Sequence, residues 1–316
     1  MTAGAIHATS SAHALRLTGV TKRFKRREAL RGLNLEVPAG SIFGLIGPNG
    51  AGKTTAFSVA CGFLRPDTGE VAILGGPGFD PARLKGRLTA LPQDAVLGRE
   101  TRCVDHLTYF ARLQGMDTAE AAAAAAQALD EVGLGDRARE RAKALSHGML
   151  RRLGVAQALM GRPELVLLDE PTSGLDPRHA AELRDVLRRK RDGRTLLISS
   201  HNLTELESLC DHVAFIDRGV LVTSGATDVV TGKGQEIEIA LGPGPEPVEV
   251  VRGALPGDTV DWEPDARVVR IRFAPTAGRA AEDVIGAALR ALLDGGGRIA
   301  GVRRGTSLEK KFLEMT

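Results

Sequence analysis

The stretch Ile42-Phe43-Gly44-Leu45-Ile46-Gly47-Pro48-Asn49-Gly50-Ala51-Gly52-Lys53-Thr54-Thr55 decides the fold. Five residues from Ile42 to Ile46 read as a short buried strand, bounded by a glycine-rich turn. A helix is predicted from about Lys53 to Leu64. Between them, Gly47 to Thr54 fit the pattern G-x-x-x-x-G-K-[ST]. The chemistry needs these residue types. Glycines let the backbone curl until its N–H groups point inward at phosphate oxygens. Lys53 sets a positive charge against the β- and γ-phosphates, and the Thr54 hydroxyl can ligate Mg²⁺. The helix N-terminus adds a field that favours anions. The bland alternative is a glycine-rich turn with an incidental lysine, and the full match weighs against it. ATP and Mg²⁺ are the expected ligands.

Working outward, Leu15 to Val37 read as a β-hairpin that ends in the turn Pro38-Ala39-Gly40. Residues 104–115 and 118–132 read as helices, the second rich in alanine. A fully apolar strand, Leu165 to Leu168, then ends in Asp169-Glu170-Pro171. A helix over 178–191 leads to a second buried strand, Thr195 to Ser199. Apolar strands alternating with helices predict a parallel sheet covered on both faces. The fold class is therefore α/β, a P-loop NTPase with a RecA-like parallel core. It carries an antiparallel β subdomain and a helical subdomain inserted over about 94–160. Asp169 emerges at the carboxyl end of its strand, where ligands sit in open α/β sheets. It can hold Mg²⁺, and Glu170 beside it can polarise a water for attack on the γ-phosphate. The alternative, two acids stabilised at a helix start, loses weight with a phosphate loop upstream.

A linker over 231–235 separates this domain (14–232) from a smaller α+β unit (235–316), whose element order suggests a ferredoxin-like accessory domain. Strands are predicted at 235–241, 267–273 and 298–303, with helices at 248–254, 280–293 and from Ser307. Residues 1–13 lack periodicity and read as a disordered tail. The 316 residues carry a formal charge of +3, too even a balance to draw nucleic acid or anionic membrane by bulk field. Cys61, Cys103 and Cys210 are scattered, which fits a reducing compartment and neither a disulfide framework nor a zinc site. No run of residues is long and apolar enough to span a bilayer. The basic stretches 22–27 and 188–191 read as a solvated hairpin and a dipole-complementing helix end.

The motifs in this order resemble the ATP-binding subunits of ABC transporters, from about residue 15 to 230. Phe24 matches the aromatic that stacks on adenine, and Gln93 the glutamine of the Q-loop, which joins the metal site to the helical subdomain. Leu145-Ser146-His147-Gly148-Met149 resembles the signature LSGGQ. Asp176 matches the D-loop acid and His201 the switch histidine. The resemblance implies that Gly47 to Thr55 and Phe24 bind the nucleotide, with Ser146, Gly148 and Asp176 reaching it from a second subunit. Thr54, Gln93 and Asp169 would serve the metal, and Glu170, His201 and Gln93 the chemistry. Two features depart from the family. His147 and Met149 replace Gly and Gln of the signature, and Phe24 replaces the commoner Tyr, although stacking needs only an aromatic face.

The resemblance further implies a head-to-tail dimer that sandwiches two ATP molecules, expected here as a homodimer. It implies separate transmembrane permease subunits, a place on the cytoplasmic inner face of the membrane, and no nucleic-acid partner. The ending Ser307 to Thr316 is similar to the SLEEVFLELT-like terminus of exporter-type ATPases, with Lys310 and Lys311 breaking its acidic run. ATP hydrolysis coupled to export is the leading reading. An ABC-type ATPase acting as a nucleic-acid or ribosome-associated switch is the rival, and a purely regulatory module is a second.

Overall fold

The computed structural model describes residues 12–95, 97–233, 235–274 and 280–315. Its backbone divides into two compact units, Met1–Ser224 and Gly225–Thr316. The first opens with β1 (His13–Phe24) and β2 (Arg27–Pro38), then β3 (Ile42–Ile46), α1 (Lys53–Ala60), β4 (Thr68–Ile73), β5 (Gly76–Pro77), α2 (Pro81–Leu84) and β6 (Leu88–Leu91). Three helices follow, α3 (Cys103–Leu113), α4 (Thr118–Glu131) and α5 (His147–Leu159). The chain then alternates through β7 (Leu165–Asp169), α6 (Pro177–Arg189), β8 (Thr195–Ser199), α7 (Leu203–Leu209), β9 (His212–Asp217) and β10 (Val220–Ala226).

Two sheets result, one ordered β2-β1-β4-β5 and one ordered β10-β9-β3-β8-β7-β6. The first is antiparallel, with β1 between β2 and β4. In the second, β6, β7, β8, β3 and β9 run parallel. Alternation within β3 shows why it is apolar throughout. Phe43 and Leu45 join the core that holds α1 residues Ala56, Phe57 and Ala60, whereas Gly44 faces Leu206 of α7 and Cys210. A strand covered on both faces cannot carry polar side chains at either parity. Each such leucine contributes about 1.5–3 kcal/mol on burial. The helices α3, α4 and α5 share a separate cluster around Leu107, Leu129 and Leu153.

The second unit contains α8 (Thr227–Val230), β11 (Glu236–Leu241), α9 (Val248–Ala254), β12 (Thr259–Glu263), β13 (Val268–Arg272), α10 (Ala281–Asp294), β14 (Ile299–Arg304) and α11 (Leu308–Met315). Its sheet is ordered β12-β13-β11-β14, with antiparallel pairs throughout. One face is apolar, with Ile237, Ile239, Val269 and Ile271 against Val284, Ala288 and Leu292 of α10. The other parity is charged. Arg270 lies 3.3 Å from Glu236, 3.2 Å from Glu238 and 2.6 Å from Glu263. Lys310 of α11 lies 2.8 Å from Glu263 and 3.3 Å from Glu238. The lysine that breaks the acidic run therefore has a carboxylate pair to meet.

Three differences from the sequence expectations have local causes. The helix after the phosphate loop stops at Ala60, because Cys61 caps it and Gly62 turns into the left-handed region at φ 72°. His13, assigned above to the tail, already opens β1; residues 1–11 of that tail lie outside the described residues. Strand β12 escapes pattern reading because only Val260 of its five residues is buried.

Candidate active site

The parallel sheet delivers its chemistry at strand ends. β3 stops at Ile46, and the chain curls through Gly47–Gly52 into α1. Gly52 caps that helix with φ 109°, and a Cβ there would stand 2.7 Å from the Ala29 carbonyl oxygen. Only glycine fits this position, so no side chain crowds the loop. Lys53 is 7% exposed, and its Nζ donates to the carbonyls of Gly47 (2.6 Å) and Pro48 (3.2 Å). Burial pulls its pKa below the ordinary lysine value, against the opposing pull of the Glu170 and Asp169 carboxylates.

Two strands away, β7 ends in Asp169, which is 2% exposed. Parallel register sets Asp169 beside Ser199 of β8. The Ser199 hydroxyl donates to Asp169 Oδ1 and accepts from the Glu170 amide at 3.1 Å. Glu170 adopts φ 50°, rare for a residue with a Cβ. Such strain costs about 1–3 kcal/mol and persists only where the surroundings over-determine it. His201 follows β8 and places Nδ1 3.2 Å from Glu170 Oε1. Just beyond, Glu205 accepts from Thr172 (2.8 Å), and its burial pushes its pKa up.

A cleft of about 420 Å³ joins these parts. It is lined by Phe24, Asn49, Gly50, Gly52, Lys53, Thr54, Thr55, Gln93 and Glu170, together with Arg27 and Ala29. Gly47, Pro48, Ala51, Asp169 and His201 are not among the residues that line it. Ser146, Gly148 and Asp176 are not part of it. Ser146 caps α5 by accepting from the Met149 amide at 3.2 Å. Asp176 caps α6, accepting from the His179 amide at 3.0 Å and from His179 Nδ1 at 2.5 Å. The His147 ring lies against Gly174, and Gly148 against Leu175. Signature and D-loop thus form one surface within the subunit, apart from the cleft.

Pattern reading missed Arg27 and Ser199. Arg27 Nη2 donates to the Gly50 carbonyl at 2.9 Å and so flanks the Gly47–Gly52 loop. The hairpin sequence carries no signal that singles it out among its basic neighbours. Ser199 could have been found only by pairing β7 with β8.

Mg²⁺ fits the residues present. The Thr54 hydroxyl and the Asp169 carboxylate are hard oxygen donors. The loop they border is kept open by a glycine that a Cβ would fill. ATP fits as well, since an aromatic, a phosphate loop and a lysine line one cleft.

Fold and site together define a P-loop ATPase core. Comparison with known proteins narrows this. Residues 30–173 match the family model for ABC transporter. The chain is 37% identical over 221 residues to the daunorubicin/doxorubicin resistance ATP-binding protein DrrA of Streptomyces peucetius, covering 69% of this chain and 67% of that one. It is 34% identical over 312 residues to the daunorubicin resistance ATP-binding protein DrrA3 of Streptomyces coeruleorubidus, with 96% of each chain covered. The Nod factor export ATP-binding protein I of Rhizobium meliloti (strain 1021) is 39% identical over 67% of this chain and 64% of that protein. Among solved structures, an ATP-binding subunit of an ABC transporter superposes with a TM-score of 0.63 at 26% identity, over 69% of this chain and 91% of that one. An ATP-binding cassette in its ADP conformation gives 0.59 at 27% identity, over 68% and 92%. The chain belongs to the ABC transporter ATP-binding family and is an ATPase. Among the described residues, no helix is long and apolar enough to cross a membrane.

Proposed function

We propose that this chain is the ATP-hydrolysing subunit of an exporter, working as a homodimer on the cytoplasmic face of separate transmembrane subunits. Relatives named for drug resistance and for Nod factor export support the direction. The cargo we infer is a drug- or antibiotic-like, lipid or polysaccharide molecule. Residues 235–316 serve as an accessory domain, and the β-α-β-β-α-β order from β11 to β14 supports a ferredoxin-like reading. The stretch 94–160, with α3 to α5, serves as the helical subdomain that meets the membrane partner.

The observation that carries the mechanism is the Glu170 carboxylate facing the phosphate-loop cleft with His201 at 3.2 Å. Glu170 accepts the proton of the attacking water, and His201 keeps that carboxylate aimed while its exposed ring meets the γ-phosphate. Lys53 balances charge on the β- and γ-phosphates, and Phe24 stacks on the adenine. When bound by Thr54, Asp169 and Gln93, Mg²⁺ supplies the positive charge that neutralises the phosphate oxygens. Ser146, Gly148 and Asp176 contact a nucleotide only when a second copy presents them to it. ATP therefore joins two copies, and loss of its γ-phosphate lets them part.

Stimulation of ATPase activity tests the reading. Reconstitution with a co-purified membrane protein raises turnover severalfold, whereas DNA and ribosomes leave it unchanged. Stimulation by either of the latter, and not by the membrane protein, would favour the switch.

A further inference from the structure

Arg151 lies on α5, five residues past Ser146, and the mechanism above does not use it. It is 8% exposed, and all three nitrogens of its guanidinium are engaged. Nη1 donates to the carbonyls of Pro92 (3.2 Å) and Gln93 (3.1 Å). Nη2 donates to the carbonyls of Asp169 and Glu170, the latter at 2.8 Å, and Nε donates to Glu170 O at 3.2 Å. Four main-chain oxygens from two separate segments thus meet on one planar fork.

The helix is shaped for this reach. Gly154, one turn along the same face, brings α5 so close to β6 that a Cβ there would stand 2.8 Å from Leu91 Cδ1. Arg152 points elsewhere, to the carbonyls of Val132 and Gly133 at the end of α4. Burial lowers the Arg151 pKa, and the carboxylates of Asp169, Glu170 and Asp94 oppose that shift. Among the described residues no side-chain carboxylate bonds to it, so its hydrogen bonds fix backbone. One of those backbones is the left-handed Glu170, whose amide is held from the other side by Ser199.

We propose that Arg151 is a positioning residue for ATP hydrolysis, a rigid bracket that ties the signature helix to both Gln93 and Glu170. Any displacement of α5, by a partner at Ser146 and Gly148 or by a membrane subunit at the helical subdomain, moves the general base and the Q-loop glutamine together. A lysine cannot reproduce this, because three donors on a point cannot span four acceptors on two segments. The inference rests on the role of Glu170 proposed above, so its test keeps the two separable.

Arg151→Met and Arg151→Lys are assayed for ATPase kinetics and for binding of a fluorescent ATP analogue, with and without Gln93→Ala. Nucleotide affinity and KM stay within about twofold, while kcat falls about tenfold or more in Arg151→Met and less in Arg151→Lys. On the Gln93→Ala background the same change costs less than on the unmodified chain, since one of the two groups it positions is gone while Glu170 remains. A kcat within twofold of the unmodified chain overturns the proposal, as does a loss that multiplies in full on Gln93→Ala. If Arg151→Met fails to fold, Arg151→Lys alone decides, and an unchanged kcat there rejects the bracket. Glu170→Gln, measured by itself, reports separately: full turnover there refutes the general base, whatever the Arg151 variants do.

Discussion

Lys53, proposed above to meet the β- and γ-phosphates, shows how burial shifts the titration of a cation. Its ammonium is desolvated, so it releases its proton at a lower pH than an exposed lysine. Only the charged form attracts phosphate. ATP affinity is therefore intact below that lowered pKa and falls as pH rises through it, with a midpoint under the ordinary 10.5. Titrating fluorescent-ATP binding from neutral to alkaline pH checks this, and Lys53→Arg should flatten the fall because guanidinium stays charged. A midpoint at or above 10.5 contradicts it. Ser199 offers a second test. Its hydroxyl bonds both Asp169 and the Glu170 amide, so Ser199→Ala should lower unfolding free energy by about 1–3 kcal/mol. Urea denaturation measures this, and a loss under about 0.5 kcal/mol would mean that the two groups find other partners.

At the scale of elements, local signals act where they are strong. Asp117 opens α4 with a reciprocal capping box, accepting from the Glu120 amide at 2.9 Å while Glu120 accepts from its own at 3.1 Å. Asp117→Ala should cost about 1 kcal/mol in urea denaturation and leave ATPase kinetics unchanged. A loss in kcat would show that α4 is coupled to chemistry more tightly than proposed. The same strength of local signal made β3, β7 and β8 readable, because strands buried on both faces admit apolar residues only. The cleft residues Lys53, Thr54 and Glu170 were readable because each motif carries its spacing with it, whereas Gln93 came only from the family resemblance. Arg151 and Ser199 were not. Their partners sit 18 to 59 and 29 to 30 positions away, and such pairings exist only once the sheet has formed. Strand β12 stayed hidden for a different reason: an edge strand with one buried side chain has no alternation to read.

For the whole molecule, the telling fact is that each subunit has a phosphate cleft and, apart from it, a surface formed by Ser146, His147, Gly148 and the D-loop. Charge left on the γ-phosphate calls for donors from outside the cleft. Two copies can satisfy each other by exchanging these surfaces, a closed two-fold arrangement that stops at the dimer. Turnover then limits its lifetime. Sedimentation velocity of the Glu170→Gln chain with ATP and Mg²⁺ tests this most directly. The account predicts a shift from one chain to about twice that mass with ATP and none with ADP. A single-chain boundary at saturating ATP, with hydrolysis blocked and nucleotide bound, would contradict it.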